Sequence, residues 1–472
     1  MSEFDHDPVE DFFNRERDQI VSQDGNDVHW QSIVRQARAQ RRSRFLGYAV
    51  GVAAAGLVIG GVTYGAVLHN STTPLTPATN TGPTALTTQR PIASGEKTPG
   101  ATGTASTPVA AQTPVPKSFT ALSATNVGGG NMFVLGSSSC GSAGRCPVLI
   151  GSTDDGRTWH LVSSFASSAL PTRSTGEGAI QASNVLSQVR FANARVGWVF
   201  GGDVQYTTDG GRTFRPYDHV GRFVTDVETD GSQVIVTSAD GCANAACVGA
   251  RHVARAGIGD GGATTEVGSA ATGGEVADLQ VVFDAKQPYV TPRWKSAPAK
   301  GFAPQRITAS GLEPLGQLDS TCGSPSEQDV IAAADPTAGL FAFCAAAGGG
   351  AAGSIGMAVF NSTNQGRTWS PVSSGALLLV NSGPRSFAAA SAQELLAVSG
   401  GSPDTHGSMQ VSGDGGKSWH SPGSPPPMPT NGWAWVGAPG GNTFYALSGD
   451  AVPAFWKSDD SGESWTKVGL AS

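Results

Sequence analysis

The chain has 472 residues, of which 14% are charged and 7% aromatic, with 64 glycines, 29 prolines and a formal net charge of −7. So little charge and so many turn formers exclude helical bundles and coiled coils and favour short strands joined by tight turns. The acidic balance excludes a nucleic-acid binder, which would show a basic stripe.

Residues 1–27 carry nine acids against Arg15 and Arg17 and cannot bury enough apolar surface to fold, so 1–44 is expected to be a disordered tail. Its end is basic, with Arg35, Arg38, Arg41, Arg42 and Arg44. Residues 45–68 (FLGYAVGVAAAGLVIGGVTYGAVL) hold no charge and are long enough to span a bilayer as one helix. The arginines before it and the lack of Lys or Arg until Arg90 predict a cytoplasmic N-terminus and an extracellular remainder at the cell membrane. A cleaved signal peptide is disfavoured by the long region ahead of the span and by Ala66-Val67-Leu68, a poor cleavage site. Small residues four apart, such as Gly47, Gly51 and Ala55, allow weak homodimerisation through this helix. Residues 69–117, with 13 threonines and eight prolines, read as a solvated stalk.

From residue 118 to 472 a segment recurs: Ser152-Thr-Asp154-Asp-Gly156-Arg-Thr158-Trp159, Thr207-Thr-Asp209-Gly-Gly211-Arg-Thr213-Phe214, Ser362-Thr-Asn364-Gln-Gly366-Arg-Thr368-Trp369, Ser412-Gly-Asp414-Gly-Gly416-Lys-Ser418-Trp419 and Ser458-Asp-Asp460-Ser-Gly462-Glu-Ser464-Trp465. The carboxylate and first hydroxyl suit a tight turn, the glycine permits positive φ, and the aromatic opens the next strand. The copies lie roughly 50 residues apart, and the wide interval between 207 and 362 leaves room for two units without the motif. Gly257-Ile-Gly259-Asp260-Gly-Gly262 reads as one decayed copy, and the other leaves no remnant. Strand-like runs such as Gly197–Phe200 and Leu395–Val398 fill each unit, so the chain is expected to be all-β, a seven-bladed propeller of four-stranded blades. First strands are expected near 120, 186, 222, 276, 327, 384 and 431.

This repeat resembles the Asp-box family, also called bacterial neuraminidase repeats. The unit at 188–214 is most similar to the photosystem II stability/assembly-factor type, and sortilin-type propellers and xyloglucanases share the box. The resemblance implies that each box joins the third and fourth strands of a blade at the rim.

The six cysteines fall in the extracellular part, where disulfides persist. Their spacing predicts the pairs Cys140–Cys146, Cys242–Cys247 and Cys322–Cys344. No cofactor or metal is expected, because the eight histidines are scattered. A sialidase of the related type would need an Arg-Ile-Pro motif before the first box, and only Lys117 and Arg145 precede it in the propeller. Glu177, Asp203, Asp226, Glu228, Asp278, Asp284, Glu327, Asp329 and Glu394 lie outside the boxes, but no spacing selects a catalytic pair. Trp433 and Trp435 alternate on a first strand and are expected on one face, as packing residues or as a stacking platform. Asn70-Ser-Thr and Asn361-Ser-Thr match the glycosylation sequon. The expected function is a membrane-anchored module that binds an extracellular protein or glycan. The alternatives are an extracellular glycoside hydrolase and a transmembrane sensor or assembly factor.

Overall fold

The computed structural model describes residues 112–470 apart from 142–143, 172–182, 219–220, 244–245, 260–262, 272–275, 295–303, 319–320, 323–327, 336, 347–352, 381–384 and 401–406, and apart from the side chains of 243, 246, 248, 270–271, 276–278, 293–294 and 328. The tail, the span at 45–68 and the stalk as far as residue 111 lie outside the described residues. Among the described residues no helix is long and apolar enough to cross a membrane.

Among the described residues, twenty-seven strands form seven consecutive antiparallel blades, so the fold is an all-β seven-bladed propeller. Blade 1 is β1 (Thr120–Gly128), β2 (Asn131–Ser139), β3 (Arg145–Ser152) and β4 (His160–Ser164). Blade 2 is β5 (Gln188–Phe191), β6 (Gly197–Phe200), β7 (Val204–Thr207) and β8 (Arg215–Pro216). Blade 3 is β9 (Phe223–Thr229), β10 (Gln233–Ala243), β11 (Ala246–Gly257) and β12 (Thr265–Ala271). Blade 4 is β13 (Val276–Asp284), β14 (Gln287–Trp294), β15 (Gln305–Ile307) and β16 (Leu312–Pro314). Blade 5 is β17 (Gln328–Ala332), β18 (Leu340–Ala345), β19 (Ser354–Ser362) and β20 (Ser370–Val380). Blade 6 has three strands, β21 (Arg385–Ala389), β22 (Leu395–Ser399) and β23 (Ser408–Ser412). Blade 7 is β24 (Trp433–Gly440), β25 (Thr443–Ser448), β26 (Ala454–Ser458) and β27 (Thr466–Gly469).

Second strands are buried almost throughout, as in Leu395–Ser399 and Thr443–Ser448, because a blade presses on each of their faces. The outer strand β4 is only half-buried. Seven apolar clusters fill the seven seams between neighbouring blades. The seam between blades 1 and 2 centres on Phe133 stacked on Phe191, with ring centroids 3.7 Å apart.

Two departures from the four-stranded plan have local causes. Blade 6 keeps one bridge, Val411 with His420, in place of a fourth strand. Pro422, Pro425, Pro426 and Pro427 follow and supply no N–H for a ladder. The Ser424 N–H instead donates to the Glu463 carbonyl of blade 7 (2.9 Å). Blades 3 and 4 are joined into one sheet by a pairing of Cys247 on β11 with Val276 on β13.

Blades 1 and 7 close the ring without exchanging a strand. Residues 112–117, read from composition as the end of the stalk, take part in this closure. The Thr113 carbonyl accepts the Leu161 N–H (2.8 Å), and Pro114 bridges His160 at the outer edge of β4. Val115 and Phe119 are buried with Tyr445, Leu447, Phe455 and Leu470 in the seam between blades 7 and 1.

Connections from first to second and from third to fourth strands fall on one face. Those from second to third strands and between blades fall on the other, as successive antiparallel strands require. The repeated turns all lie on the first face.

Candidate functional site

The five repeated turns share one hydrogen-bond pattern. In blade 1 the buried Ser152 hydroxyl accepts the Gly156 N–H (2.9 Å) and donates to Asp154 Oδ1 (2.7 Å). Asp154 Oδ1 also accepts the Thr158 N–H (2.9 Å), and Oδ2 accepts the Thr158 hydroxyl (2.6 Å). The same contacts recur around Thr207, Asp209 and Gly211, around Ser412, Asp414 and Gly416, and around Ser458, Asp460 and Gly462. In blade 5 Asn364 keeps the amide contact to Thr368 (3.0 Å) but donates through Nδ2 to the Thr368 hydroxyl (2.8 Å), the reverse polarity.

Hydrogen bonds to the charged form hold these carboxylates low. The Thr158 hydroxyl is the largest cause for Asp154 and the Thr213 hydroxyl for Asp209, and each lies at about 2. At Asp414 burial pushes upward, but the bonds from Ser418 and Ser412 outweigh it, and the group also lies at about 2. Asp460 is lowered, first by the Ser464 hydroxyl.

The glycine serves a second purpose that the motif alone does not reveal. In each turn it has positive φ, and a Cβ there would meet the preceding blade. The nearest such side chains are Val468 for Gly156 (3.5 Å), Val162 for Gly211 (2.8 Å), Leu315 for Gly366 (2.9 Å), Val359 for Gly416 (3.1 Å) and Val411 for Gly462 (2.7 Å). The turn is therefore also a knuckle-in-socket joint between blades. Trp159, Trp419 and Trp465 close it by donating Nε1 to the carbonyl of their own turn's glycine at 2.8–3.1 Å. Trp369 donates instead to Gly316 of blade 4 (2.9 Å), and the Gly316 N–H donates to the Gly366 carbonyl (2.7 Å). Phe214 has no ring N–H and packs edge-on against Phe165, with centroids 5.0 Å apart.

The sequences of blades 3 and 4 carry no copy of the motif. The β11–β12 connection coincides with Gly257–Gly262, and in blade 4 the Thr308 N–H and hydroxyl both bond the Gly311 carbonyl (2.8 and 2.9 Å) in a shortened hairpin. Polar contacts on the inner strands hold the seams entering these blades. Arg190 Nε on β5 donates to Glu228 Oε2 on β9 (2.7 Å). Buried Asp226 accepts the Val227 N–H through Oδ1 (2.9 Å) and the Val281 N–H of blade 4 through Oδ2 (2.8 Å). Ser123 accepts the Val189 N–H of blade 2 in the same manner (3.2 Å), as does Ser386 the Val436 N–H of blade 7 (3.4 Å).

The carboxylates outside the repeated turns are thus largely engaged in the scaffold. Asp203 accepts the Val204 N–H (2.8 Å), and Glu394 is bonded by the Ser391 hydroxyl. Asp284 differs, since its Oδ1 is buried without a partner among the described residues and burial pushes its pKa up. Asp329 on β17 is among the engaged groups. The side chains of Glu177, Asp278 and Glu327 lie outside the described residues.

Trp433 and Trp435 do not share a face. A bulge between them sends Trp433 into the seam of blades 6 and 7 and Trp435 toward that of blades 7 and 1. Both are packing residues, not a platform. Asn361 of the sequon is tied to the Leu340 carbonyl through Nδ2 (3.1 Å), as a strand residue of the blade.

Cys140–Cys146, Cys242–Cys247 and Cys322–Cys344 are disulfides. All three sit on the face opposite the repeated turns. Among the described residues no cluster of His, Cys, Asp or Glu could hold a metal ion.

No protein-family model matches the chain, and no curated protein matches it. Solved structures resemble it. YCF48 bound to D1 peptide is 15% identical over 71% of this chain and 92% of that one, with a TM-score of 0.39. An ancestral GH74 enzyme is 12% identical over 76% of this chain and 48% of its own, with a TM-score of 0.47. The sialidase Hz136 is 13% identical over 75% of this chain and 66% of its own, with a TM-score of 0.32. The chain thus spans about half the length of the GH74 enzyme. At these identities the likeness concerns fold alone.

Proposed function

We propose that this chain is an Asp-box propeller tethered to the membrane by residues 45–68, held outside the cytoplasm, where it binds a protein or glycan without transforming it. The observation that carries the reading is how the acids are used. The four turn aspartates, Asp203, Asp226, Glu228 and Glu394 all serve as acceptors inside the scaffold. A glycoside hydrolase needs two carboxyl groups opposed across a substrate, and these scaffold acids do not supply a second one for Asp284, whose buried Oδ1 has no partner among the described residues. The three disulfides support an oxidising location.

The test uses the full chain in nanodiscs on glycan and peptide arrays, with each bound species then checked for turnover. Saturable binding with the ligand recovered intact is the expected result. Cleavage of a bound glycan or peptide overturns the non-catalytic reading. Protease treatment of intact cells tests the tether, because the propeller should be released by cuts in the stalk; a propeller that survives in intact cells is cytoplasmic.

A further inference from the structure

The outer strand of blade 3 is fastened by a histidine. His252 on β11 contacts Glu266 of β12 through Nδ1 (2.8 Å) and Asp240 of β10 through Nε2 (2.9 Å). One ring thus meets a carboxylate on each neighbouring strand. The His252 side chain is 16% exposed, whereas those of Asp240 and Glu266 are 58% and 40% exposed. A neutral imidazole has one N–H and one bare nitrogen, and a carboxylate facing the bare nitrogen is repelled. Only the imidazolium donates to both acids, so the geometry requires the charged ring. Burial works against that charge, but the bonds to Glu266 and Asp240 outweigh it and hold the pKa above the ordinary 6.5. Neither His160 nor His420 has this arrangement. Burial lowers His160, and His420 meets a single carboxylate, Glu463 (2.6 Å), with both partners exposed.

The other charges nearby are turned away from the ring. On β11, Arg255 reaches the Ile307 carbonyl of blade 4, and Arg251 and Val253 share its side of the strand. His252 lies on the opposite side, with Ala256, toward blade 2. There the connection between β8 and β9 covers it, since a Cβ at Gly221 would lie 3.2 Å from His252 Cδ2. That connection carries Asp218 and Arg222, both exposed, and Tyr217, buried in the seam of blades 2 and 3. His219 lies outside the described residues. Glu266 and Asp240 are the charged groups that favour the imidazolium. Thr264, just before β12, donates its hydroxyl to the Asp218 carbonyl (3.3 Å) and ties the strand's entry to the same connection. The sequence of blade 3 carries no copy of the repeated turn. Its outer strand is held by the ladder with β11, by Val267 in the seam with blade 4 and by this histidine.

We propose that Asp240, His252 and Glu266 form a pH-operated clamp on β12, closed while the ring carries two protons and loosened when one leaves. On deprotonation the proton goes to water, a single N–H remains, and one of the two acids loses its donor. The ring then no longer ties β12 to β10. A histidine held above its unfolded value contributes stability that is fully present below about 6.5 and is lost as pH rises through the folded value. The outer strand of blade 3 therefore loosens toward alkaline pH. This is opposite in sign to the turn aspartates, whose lowered carboxyl groups weaken their joints toward acid.

The test is hydrogen exchange of the full-length protein in nanodiscs at pH 5.5 and 8.5, read by mass spectrometry, with each rate divided by the intrinsic chemical rate at that pH. Opening of β12 should rise about threefold or more from pH 5.5 to 8.5, while β27, the outer strand of blade 7, changes less than about 1.5-fold. His252→Gln cannot serve both acids with a charged group, so at pH 5.5 it should already show the opening that the wild type reaches at 8.5, with no further rise. Glu266→Gln, at an exposed position, offers an amide that can accept from the charged ring or donate to the neutral one, and should at least halve the rise. Equal opening of β12 at the two pH values overturns the proposal, as does a rise that both variants retain. If His252→Gln does not fold, the wild type and Glu266→Gln still decide.

Discussion

The seams entering blades 1, 2, 5, 6 and 7 and those entering blades 3 and 4 solve one problem in two ways. In the first group a glycine with positive φ leaves a socket for a valine or leucine of the blade before it, and the turn's hydroxyl and carboxylate satisfy the backbone around that socket. In the second group the sequence lacks the motif, and the apolar cluster of each seam is joined by the Arg190–Glu228 ion pair or by Asp226 reaching the Val281 N–H. Inner-strand polar contacts also reach blades 2 and 7 through Ser123 and Ser386, but at the seams entering blades 3 and 4 they involve charged groups. The repeated motif is thus a device for joining blades as much as for making a turn.

The sharpest way to break this comparison is to fill the sockets. A valine at Gly462 would place Cβ 2.7 Å from Val411 Cγ1 and force a β-branched residue to φ +89. Overpacking and backbone strain together should cost about 2–4 kcal/mol. Gly211→Val, 2.8 Å from Val162 and 2.9 Å from Leu149, should behave alike. Gly259→Ala in blade 3 meets nothing within 4 Å among the described residues and should stay within about 0.5 kcal/mol of wild type. Denaturant midpoints measure all three. Equal losses at Gly462 and Gly259 would remove the distinction between the two kinds of seam.

The polar seams have their own test. Arg190→Met leaves Glu228, about a quarter exposed, without its partner and should cost about 2 kcal/mol, less than for a fully buried pair because water reaches the site. Glu228→Gln added to Arg190→Met should recover part of that loss. The coupling from a double-mutant cycle should exceed 0.5 kcal/mol. Purely additive effects would mean that the ion pair does not hold blades 2 and 3 together.

The periodic half of this architecture was legible in the residues, and the compensating half was not. A recurring Ser/Thr, Asp and Gly at nearly constant intervals places first strands at 120, 186, 222, 276, 327, 384 and 431, and they begin at Thr120, Gln188, Phe223, Val276, Gln328, Arg385 and Trp433. The two units without the motif are located by interval alone. Arg190 and Glu228, however, are 38 residues apart, and Asp226 and Val281 are 55 apart, with no local pattern linking them. The bulge that separates Trp433 from Trp435 leaves the alternation of the strand intact as text while reversing its meaning. Val115 sits at the end of a Thr/Pro-rich stretch whose composition announces solvent, yet with Phe119 it plugs the closing seam. The role of each turn glycine was half visible: the motif requires its φ, but the opposing valine lies a whole blade away.

The smallest expected effect concerns acid, and blade 5 supplies an internal control. Asp154, Asp209 and Asp414 lie at about 2, below the ordinary 3.8, because their turns hydrogen-bond the charged form. A carboxyl group lowered in the folded state stabilises fully above its unfolded value, and the contribution disappears as pH falls from about 4 through about 2. The groups are close to water, which keeps each contribution modest. Asn364 stands where the others have aspartate and donates to Thr368 instead of accepting, so its joint carries no such dependence. Asp209→Asn should therefore lower the denaturant midpoint at pH 7 and reduce the further loss between pH 4 and 2. Asn364→Asp should do the opposite, because the Thr368 hydroxyl can turn to donate and a fifth acid-sensitive joint is added. Denaturant midpoints for the three proteins from pH 7 to 2 measure this. Parallel curves would mean that the turn carboxylates are geometric fixtures whose charge is irrelevant to the joints.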